Sequence, residues 1–317
     1  MNQNELHVVL GTGAIGRAAA EELLRRGKTV RMVNRSGAME EVPAGVEVVA
    51  SDLYEQANVR EVTRGAAVVY QSAQPNYTEW PEKFPPLQQS IIDGLTGSSA
   101  KLVIVENLYM YGETNGVPMT EDMPHNAHTR KGKTRSDMSK AALAAHAAGK
   151  VRVAIARGSD FFGSWGLPSS MGERVFYPLL RGKPAQLVGR LDLPHTHTYV
   201  PDFGKALVIL GERDEADGQV WHVPNDMPEI TQGELVRMFA DAAGVEAKMN
   251  SMGKFMLWIG GLFIPEAKES LELMYEFEQP FIVDSGKFEK TFGIKATPMK
   301  EAIKETAAWY KSHPNKH

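Results

Sequence analysis

Short runs of aliphatic and β-branched residues alternate with longer stretches of helical spacing through the first half of the chain. The runs are almost wholly hydrophobic, which is typical of strands buried on both faces of a sheet; they are Leu6–Leu10, Thr29–Val33, Val46–Ala50, Ala66–Tyr70, Lys101–Glu106 and Val151–Arg157. Two helical patterns between them, AIGRAAAEELLRRG and DMSKAALAAHAAG, end at the favourable stops Gly27 and Gly149. The alternation predicts an α/β fold, a doubly wound parallel sheet with helices on both sides.

The second half of the chain has a different pattern. One later run, Gly218–Val223, is predicted to return to the sheet as a strand, whereas prolines and glycines crowd Gly163–Pro201 and the remainder is mostly helical. We therefore predict a sheet-containing domain from 1–162 with 202–223 returning to it. Residues 163–201 and 224–317 are predicted to form a smaller, mostly helical substrate-binding lobe. It would close over the carboxyl edge of the sheet, where ligands bind in open α/β folds.

The longest apolar run is FMLWIGGLFI, Phe255–Ile264. It has about half of the roughly 20 residues that a membrane-spanning helix needs, so no membrane span is expected. The run is predicted to be a buried helix or pocket wall. A lid over an apolar substrate and an interfacial contact are the alternatives.

Composition narrows the classes of function. The chain of 317 residues has a formal net charge of −4 and no cysteine. The charge offers no general attraction to nucleic acid or to anionic membranes, so neither partner is expected. The absence of cysteine excludes disulfides and cysteine–zinc sites and, with an amino terminus unlike a signal peptide, indicates a cytoplasmic protein. A homodimer is compatible with the sequence.

A glycine-rich loop joins the first strand to the first helix. Gly11, Gly13 and Gly16 form G-x-G-x-x-G, in which the glycines allow a tight turn, close approach of a pyrophosphate and helix–strand packing. The phosphates would rest on the free N–H groups at the helix N-terminus. The loop predicts dinucleotide binding on a Rossmann-type sheet by Gly11, Thr12, Gly13, Ala14, Ile15 and Gly16.

The end of the second strand bears on the choice of cofactor. An acidic residue at this position would hold the ribose 2′-hydroxyl of NAD, but the chain has Asn34, Arg35 and Ser36. A guanidinium can grip a 2′-phosphate through two hydrogen bonds, so NADP(H) is predicted to be preferred over NAD(H). Asp52 and Leu53, after the third strand, are expected to meet the adenine.

Taken together, the motifs resemble the extended short-chain dehydrogenase/reductases, the NAD-dependent epimerase/dehydratase family. The resemblance extends over most of the chain, through GTGAIG, VVYQSAQP, LVIVENLYMYG, SDMSK, ARGSDFFG, HTYVPDFGKALVIL and VWHVPNDMPEITQGELVRMFADAAG. It implies an NAD(P)-dependent enzyme with a small-molecule substrate and adds Ser72 and Ala73 to the expected cofactor contacts.

Three positions depart from the family's pattern. Leu10 stands where the glycine loop usually has a further glycine, and Asn107 corresponds to the family's catalytic Ser or Thr. Ser136 corresponds to the tyrosine of the family's Tyr-x-x-x-Lys motif, with Lys140 as its lysine. In the family that tyrosine is the general acid/base, and a serine hydroxyl is far too weak an acid to replace it unaided.

The candidate catalytic residues follow from this match. Lys140 is expected to hold the nicotinamide ribose, with Ser136 giving at most a hydrogen bond to substrate or water. If the helix register differs, the working cation lies in RKGKTR as Lys131, Lys133 or Arg135. Asn107 is expected to polarise a substrate carbonyl, and Tyr109 is a further candidate to face the nicotinamide. The neighbouring Tyr111 corresponds to a family tyrosine that is usually structural.

The histidines suggest no metal site. His195 and His197 are two positions apart, as ligands on one strand face would be, but no third ligand is recognisable. A polar strand face or a contact with substrate is the favoured interpretation. His125, His128 and His222 are interpreted as loop and sheet-edge residues.

The predicted function is an NADP(H)-dependent oxidoreductase acting on a small organic substrate, a carbonyl, an activated alkene or a quinone-like ring. The last two need the missing tyrosine least, because a delocalised acceptor can take its proton from water. A non-catalytic NADP(H)-sensing protein is the alternative. Sugar-nucleotide epimerisation or dehydration is disfavoured because those reactions depend on the tyrosine.

Overall fold

The computed structural model describes residues 5–260, 262 and 269–314. The strands are numbered in chain order as β1 (Leu6–Leu10), β2 (Thr29–Asn34), β3 (Val46–Ala50), β4 (Ala66–Gln71), β5 (Lys101–Glu106), β6 (Arg152–Arg157), β7 (Asp160–Phe162), β8 (Ala185–Val188), β9 (His197–Tyr199), β10 (Val220–His222) and β11 (Met249–Met252).

The helices are α1 (Ala14–Arg25), α2 (Gln56–Val62), α3 (Trp80–Leu95), α4 (Arg130–Ala147), α5 (Glu173–Leu180), α6 (Val200–Glu212), α7 (Gln232–Ala243), α8 (Lys254–Gly260), α9 (Tyr275–Glu278), α10 (Gly286–Phe292) and α11 (Met299–Ser312). Short 3-10 turns lie at Tyr77–Glu79, Tyr109–Tyr111, Asp214–Ala216 and Leu271–Leu273. None of the helices in the described residues is long and apolar enough to cross a membrane.

The main sheet has seven strands in the order β10-β6-β5-β4-β1-β2-β3. All neighbouring pairs among β1 to β6 are parallel. The chain builds outward from β1 to β3 and then crosses to β4 on the other side of β1. The order therefore reverses between β1 and β4, the switch point at which such sheets bind nucleotides. This arrangement confirms the predicted Rossmann-type doubly wound fold.

Burial differs among the strands that were predicted to be covered on both faces. Val8, Val9 and Leu10 of the central β1 are fully buried. In β3, by contrast, no residue is fully buried and two are exposed. That part of the prediction was wrong for β3, which lies at one edge of the sheet with both of its faces partly open to solvent.

The chain forms two compact units, each made of separated segments. Of the described residues, the first unit contains those of Met1–Met110, Arg130–Arg157 and Phe203–Trp221, and the second contains those of Tyr111–Thr129, Gly158–Asp202 and His222–His317. The sequence-based division had instead placed 111–129 and 158–162 with the sheet. They lie in the second unit because Met119 bridges to Val283 and Asp160 pairs with His197.

The second unit contains more than helices. The strand pairs β7–β9 and β8–β11 are both parallel. Its core includes a cluster of aromatic rings from α5, α7 and α11. The ring of Phe176 is 4.1 Å from that of Phe239 and 4.9 Å from that of Tyr310, measured between centroids.

The apolar run Phe255–Ile264 is not the buried helix predicted from the sequence. Its first part lies in α8, where Leu257 is buried but Phe255 and Trp258 are 71% and 53% exposed. Leu257 is the one buried residue of α8, so this helix touches the core through a single side chain. Positions 261, 263 and 264 lie outside the described residues.

Candidate functional site

The loop between β1 and α1 has the geometry that its glycines predict. Gly11 has a φ of 112°, and a Cβ there would lie 2.6 Å from the backbone nitrogen of Ala73. A Cβ on Gly16 would lie 2.4 Å from the carbonyl oxygen of Gly11. A Cβ on Gly13 would meet no atom within 4 Å. The first and third glycines are therefore required by packing, and the second borders open space.

This loop suits a diphosphate. Gly13 is the N-cap of α1, and its carbonyl oxygen accepts the backbone N–H of Arg17 at 2.9 Å. Backbone N–H groups in the first turn of a helix, here those of Ala14 and Ile15 among them, have no acceptor within the helix itself. They and the helix dipole favour an anion at this end. The residues present thus fit the phosphates of a dinucleotide.

The end of β4 forms a wall beside the same turn. The Ser72 backbone N–H donates to the carbonyl oxygen of Leu10 at 2.8 Å, and its hydroxyl donates to the same oxygen at 3.1 Å. Ala73 follows at the contact with Gly11. The structure therefore brings together the glycine loop and the two predicted residues of VVYQSAQP. It also places Leu10, the departure from the family's glycine pattern, as a fully buried strand residue.

Asn34 connects the glycine loop to the loop after β2. Its amide nitrogen donates to the Thr12 hydroxyl at 3.0 Å and to the Ala38 carbonyl oxygen at 2.7 Å. Its amide oxygen accepts the backbone N–H groups of Ser36 at 3.1 Å and Gly37 at 2.7 Å. The Arg35 side chain is left exposed at the tip of this turn.

Arg17 was not identified from the sequence, although it directly follows the last glycine of the motif. Its side chain is buried, and its guanidinium donates to the backbone carbonyl oxygens of Glu40 and Glu41. Glu41 has a φ of 45°, in the left-handed region that few non-glycine residues adopt. Arg17 therefore fixes the far end of the loop that begins at Asn34.

The residues expected to meet the adenine have different surroundings. Asp52 is exposed, and its carboxylate accepts the backbone N–H of Tyr54 at 3.0 Å. Leu53 is 7% exposed and packs into the hydrophobic core of the first unit. Asp52 thus stabilises the turn after β3 through this hydrogen bond, and Leu53 anchors the turn to the core.

Asn107 and Tyr109 follow β5. The amide oxygen of Asn107 accepts the backbone N–H of Tyr109 at 3.4 Å, so Asn107 orients the turn that carries the phenol. Tyr109 is partly exposed, with its ring centroid 6.1 Å from that of Trp80. Tyr111 is buried and its hydroxyl is 2.8 Å from Nε2 of His222, which fits the structural role expected of it.

The predicted pair on α4 does not share one environment. Ser136 is 6% exposed, whereas Lys140 is exposed, as is Lys133. The buried cations are instead Lys131 and Arg135, which also stand four positions apart. At about 100° per residue, Lys140 lies about 140° around the helix from Arg135. Lys140, the lysine favoured from the sequence, therefore lies on the side of α4 away from the core. The buried cations come from the alternative segment, RKGKTR.

Aromatic rings surround these cations. The Arg135 guanidinium carbon is 4.8 Å from the ring centroid of Phe84 and 5.9 Å from that of Trp80. The Lys131 ammonium nitrogen is 4.6 Å from the ring centroid of Tyr77. Such contacts stabilise cations that have lost much of their water. No sequence motif had indicated these rings. They lie just before α3 or in its first turns, far from α4 along the chain.

One buried carboxylate lies among the cations of the first unit. Glu106 accepts from Nε of Arg157 at 2.9 Å, and its other oxygen is 3.9 Å from Nη2 of Arg135. Arg135 also donates to the Val105 carbonyl oxygen at 3.0 Å. Burial lowers the pKa of Arg135 and Glu106 opposes that shift; an arginine nevertheless stays protonated in proteins. The site therefore keeps a fixed positive charge.

The two histidines of the second unit form part of a buried polar cluster. Nε2 of His195 is 2.8 Å from a carboxylate oxygen of Asp160, and its ring stacks on that of His197 at 4.8 Å. Burial, with the charge of His195, lowers the pKa of His197 to about 3. Burial, with the charge of Asp160, raises the pKa of Glu276 well above its ordinary value. In the described part of the chain, no group of three or more His, Asp or Glu side chains is arranged to hold a metal ion.

Comparison with known proteins identifies the family. The model of the NAD dependent epimerase/dehydratase family matches residues 8–223. No curated protein sequence matches the chain. Among solved structures, UDP-glucuronic acid 4-epimerase from Bacillus cereus in complex with NAD is similar with a TM-score of 0.76 and 15% identity, covering 98% of this chain and 100% of that one.

Two further structures show the same fold. UDP-glucose 4-epimerase from Thermotoga maritima with UDP-glucose has a TM-score of 0.79 and 15% identity over 97% of this chain and 99% of its own. dTDP-glucose 4,6-dehydratase from Bacillus anthracis in complex with NAD has a TM-score of 0.76 and 16% identity, covering 97% of both chains. Since the family model matches well over half of the sequence, this chain belongs to the NAD dependent epimerase/dehydratase family.

Proposed function

We propose that the protein is an NADP(H)-dependent oxidoreductase that transfers hydride to a small organic molecule with a carbonyl, activated-alkene or quinone-like group. The observation that carries this proposal is the β1–α1 loop, in which packing requires Gly11 and Gly16 while Gly13 borders open space. That combination is suited to a dinucleotide diphosphate. A bound nicotinamide cofactor would supply the hydride.

Preference for NADP(H) is supported by the loop after β2. No carboxylate stands at the end of this strand, and the Asn34 amide is fully engaged in holding the loop. The exposed Arg35 is then the group able to meet a 2′-phosphate. The relatives described with NAD bind that cofactor in their own structures, at sequence identities too low to fix the choice here.

Cofactor titration tests this preference. NADPH should bind more tightly than NADH, and Arg35→Asp should narrow or reverse the difference. Loss of a charge-assisted hydrogen bond, about 1.5–3 kcal/mol, corresponds to about tenfold to a hundredfold in affinity. Arg64→Asp makes the same change at an exposed arginine after α2 and should leave both affinities as they were. Equal affinity of the parent for the two cofactors would rule the preference out.

For the cation at the nicotinamide ribose, we propose Lys131 in place of Lys140, because Lys131 is on the buried face of α4. Lys131→Met should weaken NADPH binding, and Lys131→Arg should recover part of it. Lys140→Met and Lys133→Met change exposed side chains, where substitutions typically cost under about 0.5 kcal/mol. Each should therefore change NADPH affinity by about twofold or less. If Lys140→Met alone weakens NADPH binding, the register favoured from the sequence is right after all.

The substrate class separates this proposal from its rivals. The buried face of α4 presents no phenol, so chemistry that draws a proton from a tyrosine on this helix is disfavoured. NADPH oxidation should be measured with aldehydes, enones and quinones. Epimerisation returns its hydride and consumes no cofactor, so UDP-glucose, the sugar-nucleotide representative, should be incubated with the oxidised cofactor and its conversion to the epimer followed by chromatography. Turnover with one of the first three compounds would support the proposal. Turnover with UDP-glucose alone would favour an epimerase-like reaction. NADPH binding without any turnover, together with specific capture of a protein partner, would favour an NADP(H)-sensing role.

A further inference from the structure

A phenol and a buried guanidinium of the first unit, on different elements, lie near the same aromatic ring. Tyr109 lies in the turn after β5 and Arg135 lies on α4. Both are next to the Trp80 ring: the Tyr109 ring centroid is 6.1 Å away and the Arg135 guanidinium carbon 5.9 Å away. The two groups also interact electrostatically.

Arg135 cannot easily leave this position. It is 1% exposed, it donates to the Val105 carbonyl oxygen at 3.0 Å, and the Phe84 ring lies 4.8 Å from its guanidinium carbon. Guanidinium groups do not deprotonate under ordinary conditions. Tyr109 is therefore within electrostatic range of a permanent positive charge.

Tyr109 also stands at the correct edge of the sheet. Strands β1, β4 and β5 are parallel, so their carboxyl ends share one edge. Gly11 follows β1, Ser72 follows β4, and Asn107 and Tyr109 follow β5. Ligands bind beyond this edge in open α/β sheets. The side chain of Tyr109 is partly exposed there, while its backbone N–H is held by the Asn107 amide oxygen.

We propose that Tyr109 is the general acid for carbonyl reduction and that Arg135 is the positioning residue that stabilises its phenolate. The assignment rests on the oxidoreductase activity proposed above. The phenol and the cation that the family carries on one helix would here come from the β5 turn and from α4. The serine at position 136 would then need no acid/base role.

The proton transfer balances as follows. The hydride, with its electron pair, would come from a bound nicotinamide cofactor and go to the carbonyl carbon. The O–H bond of Tyr109 breaks, and its proton bonds to the carbonyl oxygen as the carbonyl π electrons move onto that oxygen. The phenolate left behind takes a proton from water. A quinone-like acceptor spreads its new charge over the ring and takes its protons from water, so it does not need Tyr109.

Arg135 is the charged group whose interaction with Tyr109 carries the proposal. Close to Arg135 on packed elements of the first unit are Lys131, one turn earlier on α4, and Glu106 at the end of β5. Glu106 is paired with Arg157 at 2.9 Å. Its charge is thereby largely offset, so it cancels little of the positive charge of Arg135.

A direct titration tests the pair without any turnover. Tyrosinate absorbance in the ultraviolet is followed against pH, and the difference between a protein and its Tyr109→Phe variant isolates the ionisation of Tyr109. In an Arg135→Met background this ionisation should move up by about one pH unit or more, and Arg135→Lys should largely prevent the shift. A Tyr54→Phe difference follows another partly exposed tyrosine of the same unit and should not respond to Arg135→Met. Ionisation of Tyr109 at the same pH with and without the guanidinium would overturn the proposal.

Turnover gives the second test. Tyr109→Phe should slow reduction of 4-nitrobenzaldehyde by about a hundredfold or more, while reduction of 1,4-benzoquinone and NADPH affinity change little. In the parent, aldehyde reduction should fall at high pH as the phenol ionises, and Arg135→Met should move that limb upward. Equal effects on both compounds would show that Tyr109 acts on folding or binding, which contradicts the proposal. Should the parent reduce neither compound, the oxidoreductase proposal fails, and the titration still decides whether Tyr109 and Arg135 form a pair.

Discussion

At the scale of a single residue, a substitution at Gly13 should change cofactor binding without changing the stability of the fold. A Cβ there would meet no atom within 4 Å. Gly13→Val should therefore leave the melting temperature close to that of the parent while abolishing NADPH binding, because the side chain would fill the space that the pyrophosphate needs. Binding is measured by calorimetric titration.

Gly16 provides the control for this change. A Cβ there would approach the Gly11 carbonyl oxygen to 2.4 Å. Even Gly16→Ala should lower the melting temperature, because the loop and helix would have to move apart. A folded Gly13→Val variant that binds NADPH normally would show that this loop is not the phosphate site.

His197 gives the second unit a pH-dependent stability. Its pKa is lowered to about 3 by burial, whereas the unfolded chain has an ordinary histidine. Below about pH 6.5 the unfolded state binds a proton that the folded state refuses, so the free energy of unfolding falls by up to about 1.4 kcal/mol per pH unit toward pH 3. His197→Phe keeps a stacking ring and should remove this slope.

Urea unfolding across that pH range checks the prediction. His7, whose pKa burial lowers to about 4, adds a similar slope that parent and variant share. The difference in unfolding free energy between the two proteins should thus move in favour of the variant as pH falls. A difference that stays constant with pH would mean that His197 is charged in the folded state or titrates alike in both states.

The roles of the three loop glycines could be predicted from the sequence, whereas the contacts of the residues around them could not. A turn after a strand fixes what each glycine must do, so their roles follow from the motif alone. The bonds from Asn34 to Thr12 and from Arg17 to the loop at Glu40 and Glu41, by contrast, join positions more than twenty apart, and tertiary contacts set them. No pattern around either residue announces those partners.

At the scale of elements, the strands of the main sheet were predictable and the rotation of α4 was not. Continuous apolar runs locate β1 to β6 within one residue at each end. The helix, however, begins at Arg130, so its apolar side follows Met138 and Ala142 around to Arg135 and Lys131. A motif of two polar residues four apart gives no information about which side of a helix faces the core.

The N-terminus of α7 allows a prediction about one element. The Thr231 hydroxyl accepts the Glu234 backbone N–H at 3.1 Å, and the Glu234 carboxylate accepts the Thr231 N–H at 2.9 Å. Thr231→Ala removes the first of these bonds and should destabilise the protein by about 1 kcal/mol, as N-cap losses commonly do. Thr231→Ser retains the hydroxyl and should cost much less. Chemical denaturation measures both, and equal losses would assign the effect to the threonine methyl group.

At the scale of the whole molecule, the fold class followed from the order of elements, whereas the division into units required long-range pairing. Alternating strands and helices leave few topologies besides a doubly wound sheet. The segments 111–129 and 158–162 join the second unit through the pairs Met119–Val283 and Asp160–His197. Short irregular segments of this kind carry no periodic signal that would indicate such partners.

The exposed side of α8 carries the tryptophan of this protein that is most accessible to solvent. Trp258 is 53% exposed, whereas Trp80 and Trp221 are 6% and 2% exposed. Trp165 and Trp309 are partly covered and lie against each other, 5.3 Å between centroids. A collisional quencher such as acrylamide should therefore extinguish the emission of Trp258 first, and Trp258→Phe should remove most of the readily quenched fluorescence. The indole of α8 is thus a built-in optical reporter, and a ligand or second molecule that settles on this helix would shield it from the quencher.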